Sequence, residues 1–156
     1  MPDPELILLV EDNEDHALLI RRAFWKGIPI SPLQAVTSGE EAIEYLEGTG
    51  RYSNQEEFPL PTVVVLDLKL PGMDGFDVLR WIRKHPGLKA LRVVIMTCSE
   101  LDQDLNLAYQ LGANSFIVKP AALDDLIQMI EVSRKYWLFD KAPELFRARR
   151  TTDSSV

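Results

Sequence analysis

Short apolar runs alternate with longer amphipathic stretches along the chain. Leu6 to Val10, Val63 to Leu66, Val93 to Met96 and Phe116 to Val118 are too short for helices, and polar, Pro or Gly residues bound them closely. Their β-branched content predicts strands buried on both faces, with Leu33 to Val36 as a fifth candidate. Between them, Ala17 to Trp25, Glu40 to Leu46, Phe76 to Ile82 and Leu105 to Leu111 supply apolar faces. Leu123, Leu126, Ile127, Ile130 and Trp137 mark a final helix at a spacing of about 3.6. This alternation implies right-handed crossovers and a parallel sheet covered by helices on both sides. In an open sheet of that kind, ligands gather at the carboxyl ends of the strands.

Two segments depart from the alternation. Gly48 to Thr62 contains Gly48, Gly50, Pro59, Pro61 and the pair Glu56-Glu57, a stretch that suits either an interaction loop or a tolerated insertion. After Trp137-Leu138-Phe139 comes a segment with Lys141, Arg147, Arg149 and Arg150 against Asp140, Glu144 and Asp153. One domain over residues 1–140 and a flexible tail over 141–156 are expected.

Composition narrows the class. With 46% hydrophobic and 26% charged residues in a chain of 156, a globular domain with a sizeable core is expected rather than a disordered or fibrous chain. The net charge of −7 argues against broad capture of nucleic acid or anionic lipid and favours basic partner surfaces. A lone cysteine, Cys98, excludes an internal disulfide framework, and His16 and His85 stand in unlike contexts, which disfavours a histidine-based metal site. The N-terminus lacks the basic flank and apolar core of a signal peptide, and no apolar run approaches the ~18 residues of a membrane span. A cytoplasmic location without membrane contact is the expectation.

Each strand end delivers polar chemistry. Glu11 and Asp12 follow the first strand, Asp67 follows the third, Thr97 ends the fourth and Lys119-Pro120 follows the fifth. All fall on one rim of the expected sheet. Three carboxylates brought together repel one another and raise a pKa or bind a cation, and hard oxygen ligands with one or two direct carboxylates suit magnesium.

The residues LLVEDNEDH at 8 to 16, VVLDLKLPGMDG at 64 to 75, VIMTCSE at 94 to 100 and GANSFIVKP at 112 to 120 together resemble a response-regulator receiver domain, from about Leu6 to Phe139. The resemblance implies an α/β, flavodoxin-like, doubly wound five-stranded parallel sheet of order 2-1-3-4-5 with five helices. It implies two-component signalling, in which Asp67 accepts a phosphoryl group from a sensor histidine kinase in the presence of Mg2+. Asp12, Asp67 and the backbone carbonyl of Lys69 would hold the metal, with Glu11 acting mostly through water. Lys119 would compensate charge at the phosphoryl oxygens. In the family its peptide bond to proline is cis, which would aim the lysine inward. Thr97 would turn its hydroxyl onto the phosphoryl group and Phe116 would rotate into the vacated space, reshaping the face made by the fourth helix, fifth strand and fifth helix. Phe116 stands where many members have tyrosine, and Gly75 would serve the turn into the third helix.

Other positions tune or extend that picture. Lys69 and Ser99 lie two residues after Asp67 and Thr97, where family side chains help or hinder the water that hydrolyses the acyl phosphate. Neither is an acid or an amide, so slow autodephosphorylation is expected, and Cys98 is either a buried inert thiol or a bulky neighbour that narrows the approach. His16 is expected to be a solvated residue at a helix start, His85 to end the third helix before Pro86, and Trp25 and Trp81 to lie on apolar faces. The chain after the last helix is too short for a DNA-binding or enzymatic output module, so output by contact is expected. The long loop and the Tyr136-Trp137-Leu138 ending resemble stand-alone regulators paired with phytochrome-type kinases, in which dimerisation through the last helices is usual. A homodimer and a kinase or phosphotransfer protein are thus the implied partners. The protein would be a phosphoacceptor and not an enzyme. Two alternatives use the same residues: a phosphorelay intermediate, and a magnesium-dependent phosphohydrolase with Asp67 as nucleophile. The second lacks the usual general-acid aspartate, because Lys69 occupies that position.

Overall fold

The computed structural model describes residues 6–25 and 33–138, excluding the side chains of Trp25, Leu123 and residues 133–138. The strands β1 (Ile7–Val10), β2 (Leu33–Val36), β3 (Val63–Leu66), β4 (Arg92–Thr97) and β5 (Ser115–Val118) pair in parallel in the order β2-β1-β3-β4-β5. The helices are α1 (Glu14–Trp25), α2 (Gly39–Glu47), α3 (Gly75–Lys84), α4 (Asp102–Gln110) and α5 (Leu123–Leu138). The fold is the expected flavodoxin-like one. The tail expected over 141–156 lies outside the described residues, as does Phe139.

Successive strand residues serve opposite cores. Ile7, Leu9, Val63, Val65, Val94 and Met96 pack with Ile20 and Phe24 of α1 and Leu126 and Ile130 of α5. Leu8, Val10, Val64, Leu66, Val93 and Ile95 pack with side chains of α2, α3 and α4. Such double burial explains why these strands read as unbroken apolar runs rather than as alternating ones.

Helix ends follow local chemistry. Ser38 caps α2 by accepting from the Glu41 N–H at 3.1 Å, and Asp74 and Asp77 form a reciprocal capping box at the start of α3. The third helix stops at Lys84, because Pro86 holds His85 in an extended conformation. Both α1 and α4 begin before the apolar periodicity does. Their first turns carry Glu14 and Asp15, and Asp102 and Asp104, acids that favour a helix N-terminus.

The segment from Gly48 to Thr62 has structure of its own. Gly48 ends α2 in the left-handed conformation (φ 69°), and a single 3-10 turn follows at Gly50–Tyr52. The rings of Tyr45, Tyr52 and Phe58 then meet with centroids 5.0 to 6.0 Å apart, and the Tyr45 hydroxyl donates to the Pro59 carbonyl at 2.9 Å. Burial pushes the Tyr45 phenol up to about 12. Trp81 is half-buried on α3, and its ring lies 5.2 Å from that of His85.

In the last turn of the same helix, Arg83 reaches across to the loops that open β4 and β5. Its guanidinium donates to the carbonyl oxygens of Lys89 (3.0 Å), Leu91 (2.6 Å) and Gly112 (2.8 and 3.0 Å), and to the side-chain oxygen of Asn114 (2.9 Å).

Candidate functional site

Strand register brings the polar residues of the rim together. Val10 pairs with Leu66, Leu66 with Ile95, and Thr97 with Val118, so the residues that follow β1, β3 and β5 emerge side by side. The ladder continues one step beyond the strands. The Glu11 N–H donates to Val36, Asp67 to Val10 and Lys119 to Thr97, at 3.1, 3.2 and 2.7 Å. These bonds fix the backbone at three site positions.

Carboxylate oxygens of Glu11, Asp12 and Asp67 all lie within 4.8 Å of one another. Glu11 and Asp67 are buried, at 2% and 7% exposure, whereas Asp12 is open to solvent. The Lys119 ammonium, itself buried, donates to Asp67 Oδ2 at 2.9 Å and makes a very short contact to Glu11 Oε1. One ammonium against three carboxylates leaves a net negative cleft with an exposed oxygen donor at its mouth. That set of hard oxygen ligands can hold a divalent cation.

Burial favours the neutral form of Glu11 and pushes its pKa up, against the opposing pull of Lys119. For Lys119, burial alone would lower the pKa. The hydrogen bonds that Lys119 donates to Glu11 and Asp67 outweigh it and hold the lysine above its ordinary value. Both shifts favour a bound proton. We assign that proton to Lys119, because the ammonium faces two carboxylates while Glu11 faces one ammonium.

The remaining contacts position the acceptor. Asp67 Oδ1 accepts from the Lys69 N–H at 3.1 Å, and Glu11 Oε2 accepts from the Asn13 N–H at 3.2 Å. Thr97 is fully buried, and its hydroxyl oxygen accepts from the Ser99 N–H at 3.3 Å. Phe116 is buried, at 8% exposure, in the core shared with α2, α3 and α4. Gly75 has no left-handed φ; it is required because a Cβ there would stand 2.3 Å from the Asp67 carbonyl oxygen and 2.7 Å from Leu68 Cα. A close approach between α3 and the end of β3, rather than turn conformation, excludes a side chain. Glu40 on α2 steadies the same loop by accepting from the Met73 N–H at 2.8 Å.

Three expectations need correction. The Lys119–Pro120 peptide is trans, since the described residues include no cis bond, and Lys119 turns inward through its two carboxylate partners. Cys98 is exposed rather than a buried thiol. His16 is not simply solvated: its Nδ1 lies 3.5 Å from the Lys119 ammonium and 3.8 Å from Glu11 Oε1, over the buried pair. The signal for that contact was its place in the first turn of α1, close in sequence to the first two rim acids, which periodicity does not weigh.

Residues 7–131 match the response regulator receiver domain family, and the chain belongs to that family. It is thus the receiver domain of a two-component response regulator. The probable methanogenesis regulatory protein FilR2 of Methanothrix harundinacea is 42% identical over 139 residues, which span 87% of this chain and 85% of that protein. Response regulator Rcp1 of Synechocystis is 33% identical over 135 residues, covering 86% of this chain and 90% of Rcp1. The Mn2+-bound structure of Rcp1 superposes with a TM-score of 0.79 over 86% of this chain and 95% of that one. The phosphorylated cyanobacterial phytochrome response regulator RcpA gives a TM-score of 0.83 at 34% identity, over 89% of this chain and 97% of RcpA. Among the described residues, no helix is long and apolar enough to cross a membrane.

Proposed function

We propose that Asp67 takes a phosphoryl group from the phosphohistidine of a sensor kinase and that the chain then signals by contact. The observation that carries this reading is the buried Asp67 carboxylate, 2.9 Å from the Lys119 ammonium and grouped with Glu11 and Asp12. In the transfer, an Asp67 oxygen bonds to phosphorus while the P–N bond breaks and its electron pair returns to the imidazole. Asp12, Asp67 and the Lys69 carbonyl would hold magnesium, with Glu11, engaged with Lys119, acting less directly. A bound magnesium ion supplies neutralising charge at the phosphoryl oxygens. Lys119 exchanges its bond to Asp67 for one to the new phosphoryl group. Thr97 turns its hydroxyl proton onto that group while its oxygen can still accept from the Ser99 N–H, and Phe116 follows into the space, altering the face formed by α4, β5 and α5.

The product is an acyl phosphate lost by slow autodephosphorylation, so the protein is a phosphoacceptor and not a turnover enzyme. Likeness to RcpA, a phytochrome response regulator, supports a phytochrome-type kinase as donor; a cytoplasmic location and a homodimer through the last helices belong to the same proposal. The name of FilR2 points to a different pathway, and transfer from a purified phytochrome-type kinase decides between them.

The direct test is to incubate the protein with magnesium and a small phosphodonor and to weigh it. One added phosphoryl group per chain is expected, absent in Asp67→Asn and absent when a chelator removes the metal. Many phosphates released per chain would instead establish the phosphohydrolase.

A further inference from the structure

By residue type alone, Ser99 is poorly suited to guide a water onto an acyl phosphate. In the fold, a carboxylate stands behind it. Ser99 Oγ donates to Asp104 Oδ2 at 2.5 Å, and Asp104, in the first turn of α4, is only 9% exposed. A hydroxyl has one proton and two lone pairs. The proton goes to Asp104, one lone pair accepts from the Leu101 N–H at 3.3 Å, and one acceptor position is left. The Ser99 N–H is meanwhile bonded to Thr97 Oγ1 at 3.3 Å, so the hydroxyl is carried on backbone tied directly to the site. The same Asp104 oxygen lies 3.8 Å from the Lys69 ammonium on the loop after β3. One buried carboxylate therefore contacts both the loop that Asp67 opens and the loop after β4.

We infer that Asp104 is a positioning residue which, through Ser99, sets the rate at which the phosphoryl group leaves Asp67. The inference rests on the reading of Asp67 as phosphoacceptor. Ser99 takes a hydrogen bond from the incoming water on its remaining lone pair, and Asp104 keeps the hydroxyl proton turned away from that water. The water oxygen bonds to phosphorus, and the P–O bond to Asp67 breaks with its electron pair returning to the carboxylate. The water proton leaves with the inorganic phosphate or passes to solvent, and Ser99 and Asp104 end unchanged. The acid absent from the position two residues after Thr97 is supplied by the helix that follows.

The test loads the protein with acetyl phosphate and magnesium, removes the donor and follows the phosphorylated mass over time. Ser99→Ala and Asp104→Asn should each lengthen the half-life by about fivefold. The double variant should last no longer than either single one, because the two residues act as a unit. Asp104→Glu, which keeps the carboxylate, should recover part of the wild-type rate. Thermal melting of each variant separates these effects from misfolding, and Ser99→Ala, which leaves the buried carboxylate in place, carries the test if Asp104→Asn does not fold. Unchanged or shortened half-lives, or additive effects in the double variant, overturn the role of Asp104 while leaving Asp67 as acceptor. A wild-type protein that never gains a phosphoryl group overturns both.

Discussion

Lys119 stands at the carboxyl ends of the strands between the carboxylates of Asp67 and Glu11, whereas Arg83 stands near the amino ends of β4 and β5 among backbone carbonyls and the Asn114 side chain. Both are long cations drawn in from the surface, and each suits its end of the sheet. The guanidinium is a rigid fork that satisfies several fixed acceptors at once, which makes it a brace. The ammonium is a compact charge on a flexible stem, and its partners are charged groups whose balance changes when a metal or phosphoryl group arrives. Gly112 underlines the difference. Its φ of 102° and its would-be Cβ, 2.8 Å from Arg83 Nε, show a loop built closely around the arginine. The contacts of Lys119 are instead made to side chains, which can exchange it.

The largest separation between the two ends should appear in Lys119→Met. Three carboxylates would then share the cleft with no buried ammonium, and charge building on the phosphoryl oxygens would lose its closest compensation. Phosphorylation by a small donor, measured per folded molecule, should slow by at least about 100-fold. Arg83→Lys keeps the charge and removes the fork, leaving some of the carbonyls of Lys89, Leu91 and Gly112 and the Asn114 oxygen without donors. Denaturant unfolding should show a loss of about 2 kcal/mol, with the phosphorylation rate per folded molecule unchanged. If Arg83→Lys slowed phosphorylation as strongly as Lys119→Met, the division into brace and exchangeable charge would be wrong.

The two ends also differed in how far the sequence revealed them. The rim was legible because each site residue follows an apolar run, and a parallel sheet brings such positions into register. Glu11, Asp12, Asp67, Thr97 and Lys119 could be grouped from spacing alone, although their contacts could not. Arg83 gave no such signal, since its partners are backbone carbonyls, and a carbonyl has no letter in a sequence. Asp104 was hidden for a related reason: its acid lies in a polar first turn that resembles helix-dipole chemistry, and its contact to Ser99 depends on how the loop before α4 folds back. The strands and the five helices were legible from periodicity, with helix starts placed late at Glu14 and Asp102, where no apolar residue marks the turn. The 48–62 segment read as a loop because Tyr52 and Phe58 are too widely spaced to set a period, yet both pack on Tyr45.

Tyr45 offers the smallest and most specific probe, because it too donates to a fixed carbonyl, that of Pro59. Tyr45→Phe should cost about 1 kcal/mol by leaving that carbonyl without its donor. The cost should depend on pH in a definite direction. Burial raises the phenol from 10.0 to about 12, so between those values the unfolded chain has released a proton that the folded chain retains. The stability contributed by the neutral phenol is complete below pH 10 and is lost as pH rises through about 12. Tyr52, also raised by burial, titrates in the same direction and remains in the variant. Wild type should therefore lose stability more steeply than Tyr45→Phe above pH 10, with tyrosinate absorbance rising late in the folded wild type and that late component missing from the variant. Parallel stability curves across this range would mean that the Tyr45 hydroxyl is solvated and that the 48–62 segment is not anchored through it.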